Sequence, residues 1–167
     1  LLNISVSTRQ GINYRVQTIK IPLYLKLLDF FDRHYNYVPL VKRIIQGAKS
    51  EEEKALKLFE WTQQNIRSVP SGFPVVDDHV WNIIIRGYGA YDQSADVYST
   101  LCNYAGVEAF WALILPMGEG GKLPLSFVKL NGRWVVFDSY YGVYFKDKDG
   151  RLADVAALKS RNWVMER

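Results

Sequence analysis

Apolar residues recur at two different spacings along the chain, and the change from one to the other divides it. Residues 1–21 alternate loosely and are rich in β-branched side chains, which predicts one or two edge strands or an extended lead-in. Pro22 then opens a stretch in which Leu23, Leu27, Phe30 and Phe31 fall at helical spacing, with proline where a first helical turn tolerates it. A second short helix is expected after Pro39, closed by Gly47. The strongest helical signal is SEEEKALKLFEWTQQNIR, which starts at Ser50. Ser50 and Glu53 have capping-box spacing, and the glutamates suit the positive end of the helix dipole. Ala55, Leu58, Phe59, Thr62 and Ile66 then make one apolar stripe.

Proline and glycine in SVPSGFPVVDDHVW predict an irregular connector. It leads into GYGAYDQSADVYSTLCNYAGVEA, residues 87–109, which predicts a helix with Asp92 near its start and Gly106 at its end. Ala95, Tyr98, Leu101, Cys102 and Ala105 share one face of that helix. Beyond it the texture is that of strands: AFWALIL at 109–115, a glycine-rich loop PMGEGGKLP, then LSFVKL and RWVVFD around Asn131-Gly132. Asn-Gly between alternating runs marks a hairpin, because both turn residues adopt positive φ. GVYF adds a strand, KDKDGR turns the chain, and a short helix begins near Ala153. Helices first and strands afterwards give an α+β fold, with N-terminal helices and a central helix packed on an antiparallel sheet. With no repeat or linker, residues 1–167 read as a single domain. The chain begins LLNIS, without Met, and is expected to be excised from a longer protein.

Composition narrows the function classes. Hydrophobic content of 49% with 23% charged residues is globular, and 167 residues suffice for one substantial core. A net charge of +4, from 21 basic and 17 acidic residues with no dense basic run, argues against nucleic-acid binding. No apolar run approaches the ~18 residues of a membrane span. The single cysteine, Cys102, excludes an internal disulfide and a cysteine-based metal cluster. Two distant histidines, His34 and His79, without paired carboxylates suit no common metal site, and no cofactor is expected. The composition leaves the compartment open.

The helix ending in AGVEA, followed by VKLNGRWVVFD, resembles the core of the transglutaminase-like superfamily, which has the papain-like cysteine-protease fold. Family members carry a G-x-C-x-x-x-A helix start, a Gly-Ile/Val-x-Ala signal after it, a histidine near the start of one strand, and a G-x-W-x-x-x-D strand. Gly89, Ala95, Gly106, Val107 and Ala109 fall in that register, as do Gly132, Trp134 and Asp138, and the likeness covers roughly residues 50–145. It implies a Cys-His-Asp site for acyl transfer. In that site a helix N-terminus and an imidazole favour the thiolate, and the aspartate orients the imidazole.

The same register puts Tyr91 at the nucleophile position and Leu123 at the histidine position, and leaves Asp138 in place. No histidine follows residue 79, so a cysteine-then-histidine order is impossible here. A phenol titrates near ~10 and is a poor acyl-transfer nucleophile without a strong base beside it. Two arrangements are open for Tyr91: its hydroxyl meets Asp138 in the vacated space, or it fills core while Asp138 is solvated.

Cys102 lies eleven residues further, about 16 Å along the helix axis, away from the activating terminus, and reads as a buried structural thiol. His34 reads as a helix-end packing residue. His79, in VDDHVW, reads as a surface or loop residue, with a catalytic base as the sharper alternative. Tyr88, His79, Trp134 and Tyr140 are candidate cleft-lining residues. The resemblance therefore implies a catalytically silent transglutaminase-like domain that acts as a binding or structural module for peptide, glycan or a neighbouring domain. The alternative is a hydrolase or acyltransferase of the same fold that uses His79, Asp138 and Tyr91.

Overall fold

The structure, a computed structural model, describes residues 3–115, 121–160 and 163–166. Residues 116–120 of the glycine-rich loop lie outside the described residues. The N-terminal alternation is a hairpin of β1 (Ser5–Ile12) and β2 (Arg15–Pro22), paired from Ser5↔Pro22 to Ile12↔Arg15. Asn13 and Tyr14 turn it with φ of 51° and 63°, the left-handed pair that a two-residue turn needs. Asn-Tyr is a weaker turn signal than Asn-Gly, so the sequence alone did not separate the two strands.

One continuous helix, α1 (Leu23–Ile44), replaces the two short helices expected around Pro39. Proline removes one donor, leaving the Tyr35 carbonyl unsupported, but Tyr35 is 71% exposed and water can reach it. Tyr37, Leu40 and Val41, on both sides of the proline, are buried and hold the helix together. Its first half is different: Leu27, Phe30 and Phe31 have helical spacing yet remain exposed.

Helix α2 (Glu51–Asn65) is capped by Ser50 Oγ, which accepts the Glu53 N–H at 3.1 Å. The Glu53 carboxylate reaches back one residue further than a capping box would, to the Lys49 N–H. The predicted stripe of Ala55, Leu58, Phe59, Thr62 and Ile66 is buried. The connector is more ordered than its composition suggests. It contains β3 (Arg67–Ser68), β4 (Val76–Asp77), α3 (Val80–Arg86) and β5 (Tyr88–Gly89). β4 extends the hairpin sheet along β1, and β3 and β5 pair in parallel.

The central helix is α4 (Tyr91–Tyr104), and its predicted inner face, Ala95, Tyr98, Leu101, Cys102 and Ala105, is buried. It packs on an antiparallel meander of β6 (Ala109–Ile114), β7 (Leu123–Leu130), β8 (Arg133–Asp138) and β9 (Val143–Lys146). α5 (Val155–Lys159) follows, and β10 (Val164–Glu166) adds an outer strand beside β9. Asn131 and Gly132 turn β7 into β8 with φ of 51° and 77°, as the sequence predicts. Phe59, Tyr98 and Phe137 meet with ring centroids 5.3–5.6 Å apart, which ties α2, α4 and β8 into one core.

Candidate functional site at the start of the central helix

Helix α4 begins where two chain segments are pinned together. Gly89 packs so closely that a Cβ there would meet Ile83 Cγ2 and Gln93 Cβ at 3.1 Å, so a larger residue would press on both. Gln93 Oε1 accepts the Ala90 N–H at 3.0 Å and the Arg86 Nη2 at 3.1 Å, while Gln93 Nε2 donates to the Val76 carbonyl at 2.7 Å. Arg86 also pairs with Asp78 at 2.9 Å and donates to the Val76 and Tyr88 carbonyls. This latch fixes the first turn of α4 and with it the position of Tyr91.

Asp138 arrives from the other side, as the last residue of β8. Its Oδ1 accepts the N–H groups of Tyr140 at 3.1 Å and Tyr141 at 3.0 Å, an aspartate turn that ends the strand. Its Oδ2 accepts the Tyr91 hydroxyl at 2.5 Å, a short charge-assisted hydrogen bond. Of the two arrangements open from the sequence, the direct Tyr91–Asp138 contact is the one present. Tyr140 stacks on the Tyr91 ring at 4.8 Å and Tyr141 meets it edge-on at 5.2 Å. The next residue is also held: the Ser139 carbonyl accepts Ser94 Oγ from α4 at 2.9 Å and Gln63 Nε2 from α2.

The electrostatics follow from this packing. Burial, then the hydrogen bond to Asp138 and its charge, push the Tyr91 phenol above its ordinary range. At neutral pH Tyr91 therefore keeps its proton and donates it to Asp138 Oδ2, the oxygen that the Tyr140 and Tyr141 N–H groups leave open.

The other candidates disperse. Leu123 opens β7, pairs with Ile114 and is 38% exposed. The β7–β8 register is recorded from Ser126↔Phe137, and one further step sets Leu125 opposite Asp138. Leu123 lies two residues beyond that, on the same face.

His79 caps α3, its Nδ1 accepting the Trp81 N–H at 3.4 Å, and burial together with the nearby Arg33 charge lowers its pKa. Trp134 lies against Phe110 at 4.9 Å, with the Lys129 ammonium 5.6 Å from its ring, and Tyr88 packs on Phe73 and Arg86. Among the described residues, neither ring contacts Tyr91. Only Tyr140 of the four candidate cleft residues reaches it. Cys102 is fully buried in α4, and that burial pushes its thiol up to about 12. His34 stacks on Phe30 and reaches Tyr104.

Three of the cavities among the described residues lie around this region. One of about 850 Å³ lies between the β1–β2 hairpin and residues 76–82, and one of about 410 Å³ between β1, α1 and the start of α3. A third, of about 360 Å³, is lined by Phe59, Gln63, Tyr141 and Tyr144. Tyr91 and Asp138 line none of the three. No described helix is long and apolar enough to cross a membrane.

Sequence reasoning missed the latch of Gln93 and Arg86 and the Ser94–Ser139–Gln63 clamp. Their partners come from distant segments, and isolated polar residues carry no periodic signal. The Asp138 turn was readable, since aspartate at a strand end commonly bonds the backbone two residues on.

No curated protein matches its sequence. Two solved structures share its fold at 14% identity. One is a "putative cysteine protease" from Cytophaga hutchinsonii, with a TM-score of 0.53 over 78% of this chain and 46% of that one. The other is a "putative protease" from Parabacteroides distasonis, with a TM-score of 0.51 over 62% of this chain and 23% of that one. The chain thus spans less than half the length of either protein. The transglutaminase-like superfamily matches residues 38–139, from the buried half of α1 through α4 to the residue after Asp138. The chain belongs to the transglutaminase-like superfamily.

Proposed function

We propose that this transglutaminase-like domain performs no acyl transfer and serves as a binding or structural module. The observation that carries the reading is the Tyr91–Asp138 hydrogen bond at 2.5 Å. In a Cys-His-Asp site the aspartate orients an imidazole and the helix terminus presents a thiolate. Here a phenol from that terminus takes the aspartate directly, and Tyr140 and Tyr141 pack over its ring. A structural role suits this corner better than ligand binding, because the Tyr91 hydroxyl and Asp138 engage each other and neither residue lines any of the three cavities. A peptide, glycan or neighbouring domain would bind elsewhere on the surface.

An enzyme acting through His79, Asp138 and Tyr91 needs the three to converge. His79 instead caps α3 and lines a cavity with Lys26, Asp29 and Arg33. The test is turnover of p-nitrophenyl acetate and amine incorporation into a glutamine peptide, with wild type and Asp138→Asn side by side. Equal background rates are expected. Wild-type turnover abolished by Tyr91→Phe or Asp138→Asn contradicts the proposal.

A further inference from the structure

The β1–β2 hairpin leaves one sheet edge unfinished beside a cavity. In a two-residue hairpin the pair flanking the turn is hydrogen-bonded, so Ile12 turns its N–H and C=O toward β2. Alternation then sends Gln10, Thr8, Val6 and Ile4 the same way, and the Leu23 N–H does bond the Ile4 carbonyl at 2.7 Å. The odd residues therefore face the opposite edge. β4 covers that edge at Gly11↔Asp77 and Ile12↔Val76, and the Asn13 N–H extends the ladder to the Val75 carbonyl at 2.7 Å. The chain then leaves the track at Asp78 to start α3. Among the described residues, the backbone groups of Ser5, Ser7 and Arg9 have no partner, and all three residues are exposed.

The cavity of about 410 Å³ reaches this edge at Arg9. It is lined by three consecutive β1 residues, Thr8, Arg9 and Gln10, by Ile21 of β2, and by side chains of α1 and of the segment that leads from β4 into α3. It adjoins the cavity of about 850 Å³ over the hairpin face, and Gln10, Asp78 and Asn82 line both.

We infer that the β1 edge binds an extended polypeptide, which adds antiparallel to β1 as a continuation of β4. β4 is the template: a piece of this chain already occupies the first two positions of the same track. A polypeptide is the ligand whose N–H and C=O groups recur at the two-residue repeat of Ser5, Ser7 and Arg9. Side chains on the peptide's inner face would meet the carboxamides of Gln10 and Asn82, the charged side chains of α1, and the apolar Ile21, Leu25 and Trp81. The site is separate from the Tyr91–Asp138 corner and does not depend on the function proposed for it.

The test is selection of a displayed random decapeptide library on the intact chain, followed by fluorescence anisotropy with the synthesised winners. Peptides that bind in the micromolar range, protect the Ser5, Ser7 and Arg9 amides from hydrogen exchange and weaken about tenfold on Ser7→Pro are expected, since proline removes one ladder donor at an edge position that tolerates it. N-methylation of the peptide gives a second readout that leaves the protein untouched: alternate positions should abolish binding and the intervening ones should not. No enriched peptide, or binding indifferent to both changes, overturns the inference. So does a dimer in sedimentation that Ser7→Pro dissolves, because a second copy would then occupy the edge.

Discussion

The two halves of α1 have similar apolar content and opposite fates. In the second half Tyr37 and Val41 are 1% and 2% exposed and pack toward α4. In the first half Leu27, Phe30 and Phe31 are 43–53% exposed, although their spacing is as regular. The family match begins at residue 38, close to where burial begins. Helical periodicity shows that residues share a face, but a face is buried only where another element meets it. α4 and α2 supply that element for the second half, while the first half lies beside the hairpin and the cavity of about 410 Å³.

Substitutions should separate the two regions by size of effect. Leu101→Ala, in the fully buried face of α4, should cost about 2–5 kcal/mol in urea unfolding, through lost burial and the cavity left behind. A cost below 1 kcal/mol there would mean that the central helix is not the core. Tyr91→Phe keeps the ring stack and removes the donor to Asp138, so about 1–2 kcal/mol is expected, with the two backbone donors to Asp138 limiting the loss. Ser50→Ala should cost about 1 kcal/mol through the lost N-cap of α2. Phe31→Ser, on the exposed half of α1, should stay within about 0.5 kcal/mol. A Phe31 effect as large as that at Leu101 would erase the distinction between the halves.

Titration gives a smaller effect with a definite sign. His79 is held neutral by burial and by its role as acceptor of the Trp81 N–H, so its folded pKa lies below the unfolded value near ~6.5. Its contribution is complete above that unfolded value and is lost as pH falls through the folded one. Stability should decline on acidification below about pH 6.5, less steeply in His79→Asn, which keeps a capping side chain. Cys102 should resist iodoacetamide in the native state and react on unfolding, because burial pushes its thiol up to about 12.

The α2 stripe, the inner face of α4 and the Asn131-Gly132 hairpin were legible because each follows from a local period or a turn requirement, whereas the short elements between α2 and α4 were not. The continuous helix through Pro39 was not, since it depends on burial at Tyr37, Leu40 and Val41. The family core was legible from spaced residues such as Gly89, Gly106 and Trp134, whereas the latch around Gln93 depends on contacts between segments that no local pattern announces. At the site itself, Tyr91 and Asp138 meet as one of the two arrangements open from the sequence, while Trp134, Tyr88 and His79 are carried elsewhere by strand alternation and by α3.

The central claim is that the Tyr91 proton is committed to Asp138, which makes this corner a closed contact. Carbon-13 NMR of tyrosine ring carbons across an alkaline titration, in wild type and Asp138→Asn, measures this directly. Tyr91 should stay protonated beyond the ordinary tyrosine range near ~10, and its titration should move to lower pH in Asp138→Asn. A Tyr91 resonance that titrates at or below that range, unchanged by Asp138→Asn, would contradict the account.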